Sequence, residues 1–399
     1  MAKYPLPIPL IDTLENFSVD QVTDNQGLAA VIDFLQQYSA NKATFESYRR
    51  ETERLLQWGQ FIAQKCILTL KRQDLHDYIE FCLDPPKSWI GTKRVPRFIE
   101  HQGQRLPNSQ WRPFVVSVTK RDHKLGALPD KGEYQLSQKA IQEIFTVLSS
   151  FYNYLVLDEK VSNNPVALIR QKSKFIQKQQ TQPTVMRLSE RQWQQCLSCA
   201  QTLADIEPNK HARTLFILSA LYLLYLRISE LVASDRWIPQ MNHFHQDSNE
   251  RWWFKTLGKG NKLRSIAVSD DMIAALKTYR LSMGLSELPS PNDQTSLLPK
   301  EKGKGAITSS RHIRRIVQNC FDLAVAQLRE SKHTSEADQL EAATVHWLRH
   351  TGISDDINKR DRPIAHVRDD AGHSSSAITD RYNDIELTER HLSAKQKKL

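Results

Sequence analysis

Over most of this chain apolar side chains recur every three or four residues, a spacing that a helix turns into one continuous face. Phe45, Tyr48, Leu55, Leu56, Trp58, Phe61 and Ile62 follow it within residues 27–83, which read as helices. Ile141, Ile144, Phe145, Leu148, Phe151, Tyr152 and Leu155 repeat it after Ser137, a residue suited to cap a helix start. That helix must end before Asn163-Asn164-Pro165, because proline pushes the residue before it out of the α region. In the second half Ser189-x-x-Gln192 has the pattern of a capping box, and further helices are expected at about 209–226, 270–283, 309–329, 345–357 and 374–382. The period changes at Trp252–Leu257 and Leu263–Val268, two strand-like runs joined through Gly258-Lys259-Gly260-Asn261 as in a hairpin. The expected fold is therefore mainly α, with a small β-sheet in the second half.

At 399 residues the chain is expected to divide into two or three domains. Its 40% apolar and 25% charged residues are enough for buried cores and exclude a disordered or collagen-like chain. The longest apolar run, Leu215–Leu226, is broken by Ser219 and stopped by Arg227, short of the roughly 20 residues a membrane span needs. Prolines interrupt Met1–Leu10, so no secretory leader is expected there. The five cysteines are odd in number and scattered, which fits a reduced, cytoplasmic setting. Lys and Arg number 55 against 45 Asp and Glu; the resulting +10 makes nucleic acid a natural partner.

Two basic segments lack helical periodicity. From Lys87 to Arg121 eight Lys or Arg face one acid, Glu100, with Trp89, Phe98, Trp111 and Phe114 interleaved and Pro96, Pro107 and Pro113 breaking the chain. This stretch is expected to be loop-rich, with a hairpin at about 112–119. It reads either as a DNA contact surface, with Lys93, Arg94, Arg97 and Arg112 as contacts, or as an insertion packed by its own aromatics. From Arg170 to Arg187 there are five basic residues and no acid, the composition of an interdomain linker whose Lys172 and Lys174 would suit a phosphate backbone.

Four segments of the second half carry groups suited to phosphate chemistry. In Leu226-Arg227-Ile228-Ser229-Glu230-Leu231 the arginine and the acid stand three apart, as on one helix face; alone, this is an ion pair. In Gly258-Lys259-Gly260-Asn261-Lys262-x-Arg264 glycines let a hairpin tip bend and hold a lysine out, while the order of a P-loop is absent. In His346-Trp347-Leu348-Arg349-His350-Thr351-Gly352 the residues His346 and Arg349 share a face; His346 and His350 lack the glutamate of a zinc-binding H-E-x-x-H helix. Gly372-His373-Ser374-Ser375 is followed, nine residues after His373, by Tyr382. Cys196-x-x-Cys199 has no second pair at zinc spacing, so these are expected to be core thiols and no metal is expected.

Together and in this order, the four segments resemble the active site of the tyrosine recombinase, or phage integrase, family. The 119 residues from Arg227 to His346 and the 33 from Arg349 to Tyr382 are similar to the family's spacings. Leu148–Leu155 and Asn163-Asn164-Pro165 resemble its helical core-binding domain. The resemblance implies a helical core-binding domain (26–170), a basic linker (171–187), and a mixed α+β catalytic domain with a C-terminal tail (188–399); it does not cover the N-terminal extension (1–25) or the insertion at about 84–132.

It also implies roles. Arg227 and Arg349 would hold the scissile phosphate through planar, bidentate, permanently charged contacts, and His373 would add a hydrogen bond. Tyr382 would attack phosphorus, leaving a 3′-phosphotyrosine and a free 5′-hydroxyl. A tyrosine hydroxyl with pKa near 10 needs help losing its proton, which His346 would take, while Lys259 would protonate the leaving 5′-oxygen. Glu230 would orient Arg227 and His346. The covalent link conserves the energy of the broken bond, so no ATP, metal or other cofactor is required. The implied partners are a double-stranded DNA recombination site and, through the tail, further copies of the chain up to a DNA-bound tetramer, with no membrane.

Two positions depart from the family's pattern. Tyr225 stands where a glycine usually precedes the first arginine by two residues, and Asp370-Ala371 where two leucines usually precede Gly372. The rival readings are a type IB topoisomerase, which relaxes DNA without exchanging partners, and a DNA-binding regulator without catalysis. The two-domain layout and the H-x-L-R-H-T-G and G-H-S-S segments favour a site-specific recombinase over the topoisomerase, and the complete set of candidate catalytic groups argues against the regulator; the expected activity is integration, excision or resolution of mobile or plasmid DNA.

Overall fold

Asp24, Asn41, Ser137, Ser189 and Ser269 each accept a hydrogen bond from the backbone amide three residues on, so five helices begin where the sequence supplies a capping oxygen. The computed structural model describes residues 4–17, 22–119, 122–123, 125–167, 169, 175, 186–258, 260–380, 382, 394–395 and 397. The chain separates into two units, Met1–Gln182 and Pro183–Leu399.

In the first unit α1 (Asn25–Gln36), α2 (Lys42–Trp58), α3 (Arg72–Leu83) and α4 (Gln138–Leu157) enclose a core that includes Phe34, Leu55, Trp58, Tyr78, Phe145 and Phe151. The stretch before α1 is part of this core. Leu10 and Ile11 are buried, and their amides donate to the buried carboxylate of Glu53 at 3.1 and 3.3 Å. A buried acid here supplies acceptors for amides that an irregular segment would otherwise leave unpaired.

Within the insertion β1 (Ile90–Gly91) pairs in parallel with β4 (Phe114–Val115), and β2 (Phe98–His101) pairs with β3 (Gln104–Pro107) as a hairpin. The hairpin thus lies at 98–107 rather than 112–119. Its tip, Gln102-Gly103, provides the two successive positive-φ residues that a tight hairpin turn needs. Trp89, Phe98, Trp111 and Phe114 are all buried, as in the packed reading of this segment.

The second unit is mainly helical around one small sheet. It contains α5 (Glu190–Ile206), α6 (Pro208–Leu223), α7 (Asp270–Ser282), α8 (Ser310–Glu330), α9 (Thr334–Glu341), α10 (Val345–Asn358), α11 (Ile364–Ala371) and α12 (Ser376–Asp380). The sheet is antiparallel, in the order β5 (Phe244–Gln246), β6 (Trp252–Leu257), β7 (Leu263–Ala267). Its inner residues Phe254 and Ile266 join Phe216, Tyr279, Phe321 and Leu348 in the core. Cys196, Cys199 and Cys320 are buried there as free thiols.

Two features of this unit set the course of the chain leading into Arg227. A Cβ on Gly352 would stand 1.9 Å from the Tyr222 carbonyl oxygen, so α10 rests directly on the end of α6. The helix expected to run to 226 stops at Leu223, and Tyr225 takes a left-handed conformation, φ 49°. Among the described residues no helix is long and apolar enough to cross a membrane.

Candidate active site

The left-handed turn at Tyr225 costs a non-glycine residue about 1–2 kcal/mol, and it delivers Arg227 to the start of a short 3₁₀ turn, Ile228–Glu230. Arg227 donates its amide to Glu230 Oε2 at 2.9 Å and its Nη1 to Oε1 at 3.1 Å. The spacing of three therefore makes a capping interaction, where the sequence suggested a shared face of a regular helix. Glu230 is 2% exposed and also receives both terminal nitrogens of Arg264, each at 2.8 Å. Burial alone would raise the carboxyl's pKa; the two arginines reverse that and hold it below its ordinary value. Gly258 makes this fork possible, since a Cβ there would lie 2.8 Å from Arg264 Nη1. Lys259, at the tip of the same hairpin, lies outside the described residues.

The end of α11 collects three guanidinium groups. Arg264 Nε donates to the Asp370 carbonyl at 2.9 Å, Arg349 Nη2 to that of Ala371 at 2.6 Å, and Arg227 Nη2 to that of Gly372 at 3.1 Å. These are carbonyls at a helix C-terminus, which carries partial negative charge and favours cations. Arg349, 4% exposed, also donates Nη1 to the Tyr225 carbonyl. Burial, and then the like charge of Arg227, push the Arg349 guanidinium down to about 9. So much positive charge on few acceptors favours an anion.

Tyr382 is 5% exposed and sits beside this cluster. Its hydroxyl is 2.5 Å from Nδ1 of His350, and its ring stacks on that of His373 at 5.9 Å. Asn358 Nδ2 donates to the Tyr382 carbonyl at 2.8 Å, and the Tyr382 amide donates to the Thr379 carbonyl at 2.9 Å. His373 Nε2 accepts from Arg349 Nη2 at 3.2 Å, which leaves Nδ1 to donate to Thr379 Oγ1 at 2.9 Å. Burial first and nearby positive charge second lower both His350 and His373 to about 4, so both imidazoles are neutral near pH 7. His346 is exposed one turn earlier on α10, its ring 6.3 Å from that of His350.

The structure therefore brings Arg227, Glu230, Arg349, His373 and Tyr382 together. It adds Arg264, His350, Thr379 and Asn358, to which the sequence assigned no role. Arg264 and His350 stood within the quoted motifs; nothing in the local pattern marked Thr379 or Asn358.

The candidate DNA contacts divide. Lys93 and Arg94 are exposed. Arg97 is committed to Glu53 and lies over the Trp111 ring at 4.6 Å, and Arg112 Nη1 donates to the carbonyls of Ser109 and Trp111 at 2.7 and 2.6 Å. All four line a cleft of about 570 Å³ with Arg49, Arg50 and Arg54. Lys172 and Lys174 lie outside the described residues. Among the described residues, the grouping with metal-ligand spacing is His76, Asp77 and Glu80, on α3 of the first unit.

The model of the phage integrase family matches residues 186–389, just over half of the chain. The chain belongs to the phage integrase family. As a tyrosine recombinase it is an enzyme that cleaves and rejoins DNA. It is 21% identical over 267 residues to the tyrosine recombinase XerC of Chlorobaculum parvum, covering 65% of this chain and 72% of that one. It is 27% identical over 293 residues to XerC of Xanthomonas campestris pv. campestris, covering 72% of each. Of solved structures, the XerH site-specific recombinase bound to a palindromic difH substrate superposes with a TM-score of 0.55 at 13% identity, over 96% of this chain and 92% of that one. The Tn1549 transposon integrase in complex with a circular intermediate DNA gives 0.50 at 15%, over 92% and 99%. At these identities the two structures establish the shared fold, mainly helical with small sheets.

Proposed function

We propose that this recombinase exchanges strands between specific double-stranded DNA sites, in integration, excision or resolution of mobile or plasmid DNA, through a 3′-phosphotyrosine at Tyr382. The observation that carries the reading is the Tyr382 hydroxyl hydrogen-bonded to a neutral imidazole, in a site where three arginines converge on one helix end.

A scissile phosphate here takes over guanidinium contacts from the α11 carbonyls. Arg227 and Arg349 hold its non-bridging oxygens, and each such preorganised donor is worth about 2.7–4 kcal/mol by analogy with an oxyanion-hole donor. The phosphate's negative charge offsets the arginines around His373, so that Nε2 can carry a proton and donate to phosphate. Tyr382 attacks phosphorus as its proton passes to His350, the imidazole in contact with the hydroxyl. His346, the base expected from the family's pattern, is then a neighbour of that base. Lys259 protonates the departing 5′-oxygen. Glu230 orients Arg227 and Arg264. The rejoining step reverses these transfers with a 5′-hydroxyl from the partner duplex.

In this reading the first unit is the core-binding domain and its arginine-lined cleft faces the duplex, Lys93 and Arg94 at the rim. The relatives structurally alike include XerH with its difH substrate and the Tn1549 integrase with circular intermediate DNA, which supports DNA as the partner. The tail after Tyr382, largely outside the described residues, links protomers into a tetramer on DNA. A plasmid carrying two copies of the site tests the function. Recombinant circles support it; relaxation of supercoils without recombinants identifies a topoisomerase, and binding without either identifies a regulator.

A further inference from the structure

The two departures from the family's pattern, Tyr225 and Asp370, are joined in the structure by a third residue, Arg362, in the loop between α10 and α11. The buried Tyr225 hydroxyl donates to Asp356 and accepts from Arg362 Nη1 at 3.0 Å. The same Nη1 donates to Asp356 at 3.2 Å, and Nη2 donates to Asp370. The other Asp370 carboxylate oxygen accepts from the Ala267 amide of β7 at 3.4 Å. Arg360, the remaining cation of this loop that faces the acids, pairs with Asp356 and donates to the Tyr222 hydroxyl at 3.0 Å.

The main chains of the same two residues point the other way, into the site. The Tyr225 carbonyl accepts from Arg349 and the Asp370 carbonyl from Arg264, and the next two carbonyls after Asp370 take Arg349 and Arg227. Arg349 is thus held between two chain segments, 225 and 371, and Arg362 clamps the side chains of one segment and of the residue next to the other.

We propose that Arg362 is a positioning residue for the phosphate-binding arginines: by tying the Tyr225 turn to the end of α11, it fixes the two carbonyls between which Arg349 is held. A tyrosine in a left-handed turn persists only where its surroundings over-determine it, and the Asp356–Arg362 clamp on its hydroxyl does so. Asp370 is 6% exposed, and a carboxylate so buried stays in place only with a charged partner. Two leucines would hold this corner by packing; here a charged clamp replaces them and couples the corner to Tyr225.

The inference rests on the reading of Arg227 and Arg349 as phosphate ligands. Its test uses nicked duplexes recovered from a randomised pool by covalent capture on the unaltered full-length chain. Arg362→Gln and the charge-balanced pair Arg362→Gln with Asp370→Asn are compared with the unaltered chain. Each receives the duplex with a normal scissile phosphodiester and with a methylphosphonate there, which lacks one charged oxygen and so needs less from the arginines. At saturating DNA the variants should form adduct on the diester about 10- to 100-fold more slowly, the scale expected for an ångström of misplacement. On the methylphosphonate the defect should shrink to about threefold or less, with duplex affinity unchanged. Equal slowing on both substrates would mean a merely structural role, and no slowing on either would remove Arg362 from the site; both overturn the proposal. Failure of the unaltered chain to capture any duplex would instead overturn the recombinase reading on which it rests.

Discussion

The Tyr382 hydroxyl and Nδ1 of His350 are 2.5 Å apart, although the two residues are 32 positions apart in the chain and His350 carries no role in the sequence reading. In the proposed mechanism this contact makes His350, rather than His346, the group that would receive the Tyr382 proton. Replacing His350 with Gln should slow single-turnover adduct formation by about 10²- to 10⁴-fold, the usual value of a general base, and leave duplex affinity unchanged. His346→Gln should cost much less. The reverse ranking would return the base to His346.

Three histidines with lowered pKa set a pH dependence of stability. His243, His350 and His373 are each lowered to about 4 from an ordinary value of 6.5, burial being the first cause at all three. Between pH 6.5 and 4 the unfolded chain takes up protons at these sites and the folded chain does not, so stability falls as pH drops through that window. Melting temperatures measured from pH 7.5 to 4.5 should decline below about pH 6.5, and His243→Gln should flatten the decline. A melting temperature that rises on acidification over this range would contradict these assignments.

Gly352 is a second position with a physical test. A methyl group there would meet the Tyr222 carbonyl at 1.9 Å, a backbone atom that cannot swing aside. Gly352→Ala should destabilise the fold by about 1–3 kcal/mol or more, the scale of overpacking a filled core, read by denaturant unfolding. A neutral substitution would mean that α10 does not lie so close to the end of α6.

The insertion should split into two phenotypes. Lys93→Gln with Arg94→Gln removes two exposed charges; it should flatten the slope of log K against log salt by about 1–2 units and leave the melting temperature unchanged. Arg97→Ala removes the cation from Glu53, whose side chain is 1% exposed. Breaking a buried pair costs about 3–5 kcal/mol, here toward the lower end because the amides of Leu10 and Ile11 still reach the carboxylate. If Arg97→Ala alters the salt slope and spares stability, the pairing with Glu53 is wrong.

Much of this was legible in the sequence, and the losses have specific causes. Long helices with caps, such as Gln138–Leu157 after Ser137, and the β6–β7 hairpin follow from periodicity and turn chemistry. The helices Thr334–Glu341 and Ile364–Ala371 are each eight residues, too short for an apolar period to declare itself. His350 follows Arg349 directly, so helical geometry turns it about 100° away, and only the packing of the chain after α12 shows what it faces. Tyr225 could be recognised as a departure, but its partner Arg362 lies 137 positions on and belongs to no motif. The aromatics of the insertion fitted DNA and a protein core equally well by composition; burial of Trp89 and Phe114 decides for the core.

In the proposed function Tyr382 becomes covalently joined to DNA. Full-length chain incubated with the captured nicked duplex, in excess EDTA and without nucleotide, should yield an adduct that survives denaturation. Peptide mapping by mass spectrometry should place the linkage on Tyr382, and Tyr382→Phe should abolish it while duplex binding persists. An adduct mapped to Tyr222 or Tyr225, or one retained by Tyr382→Phe, would contradict the account.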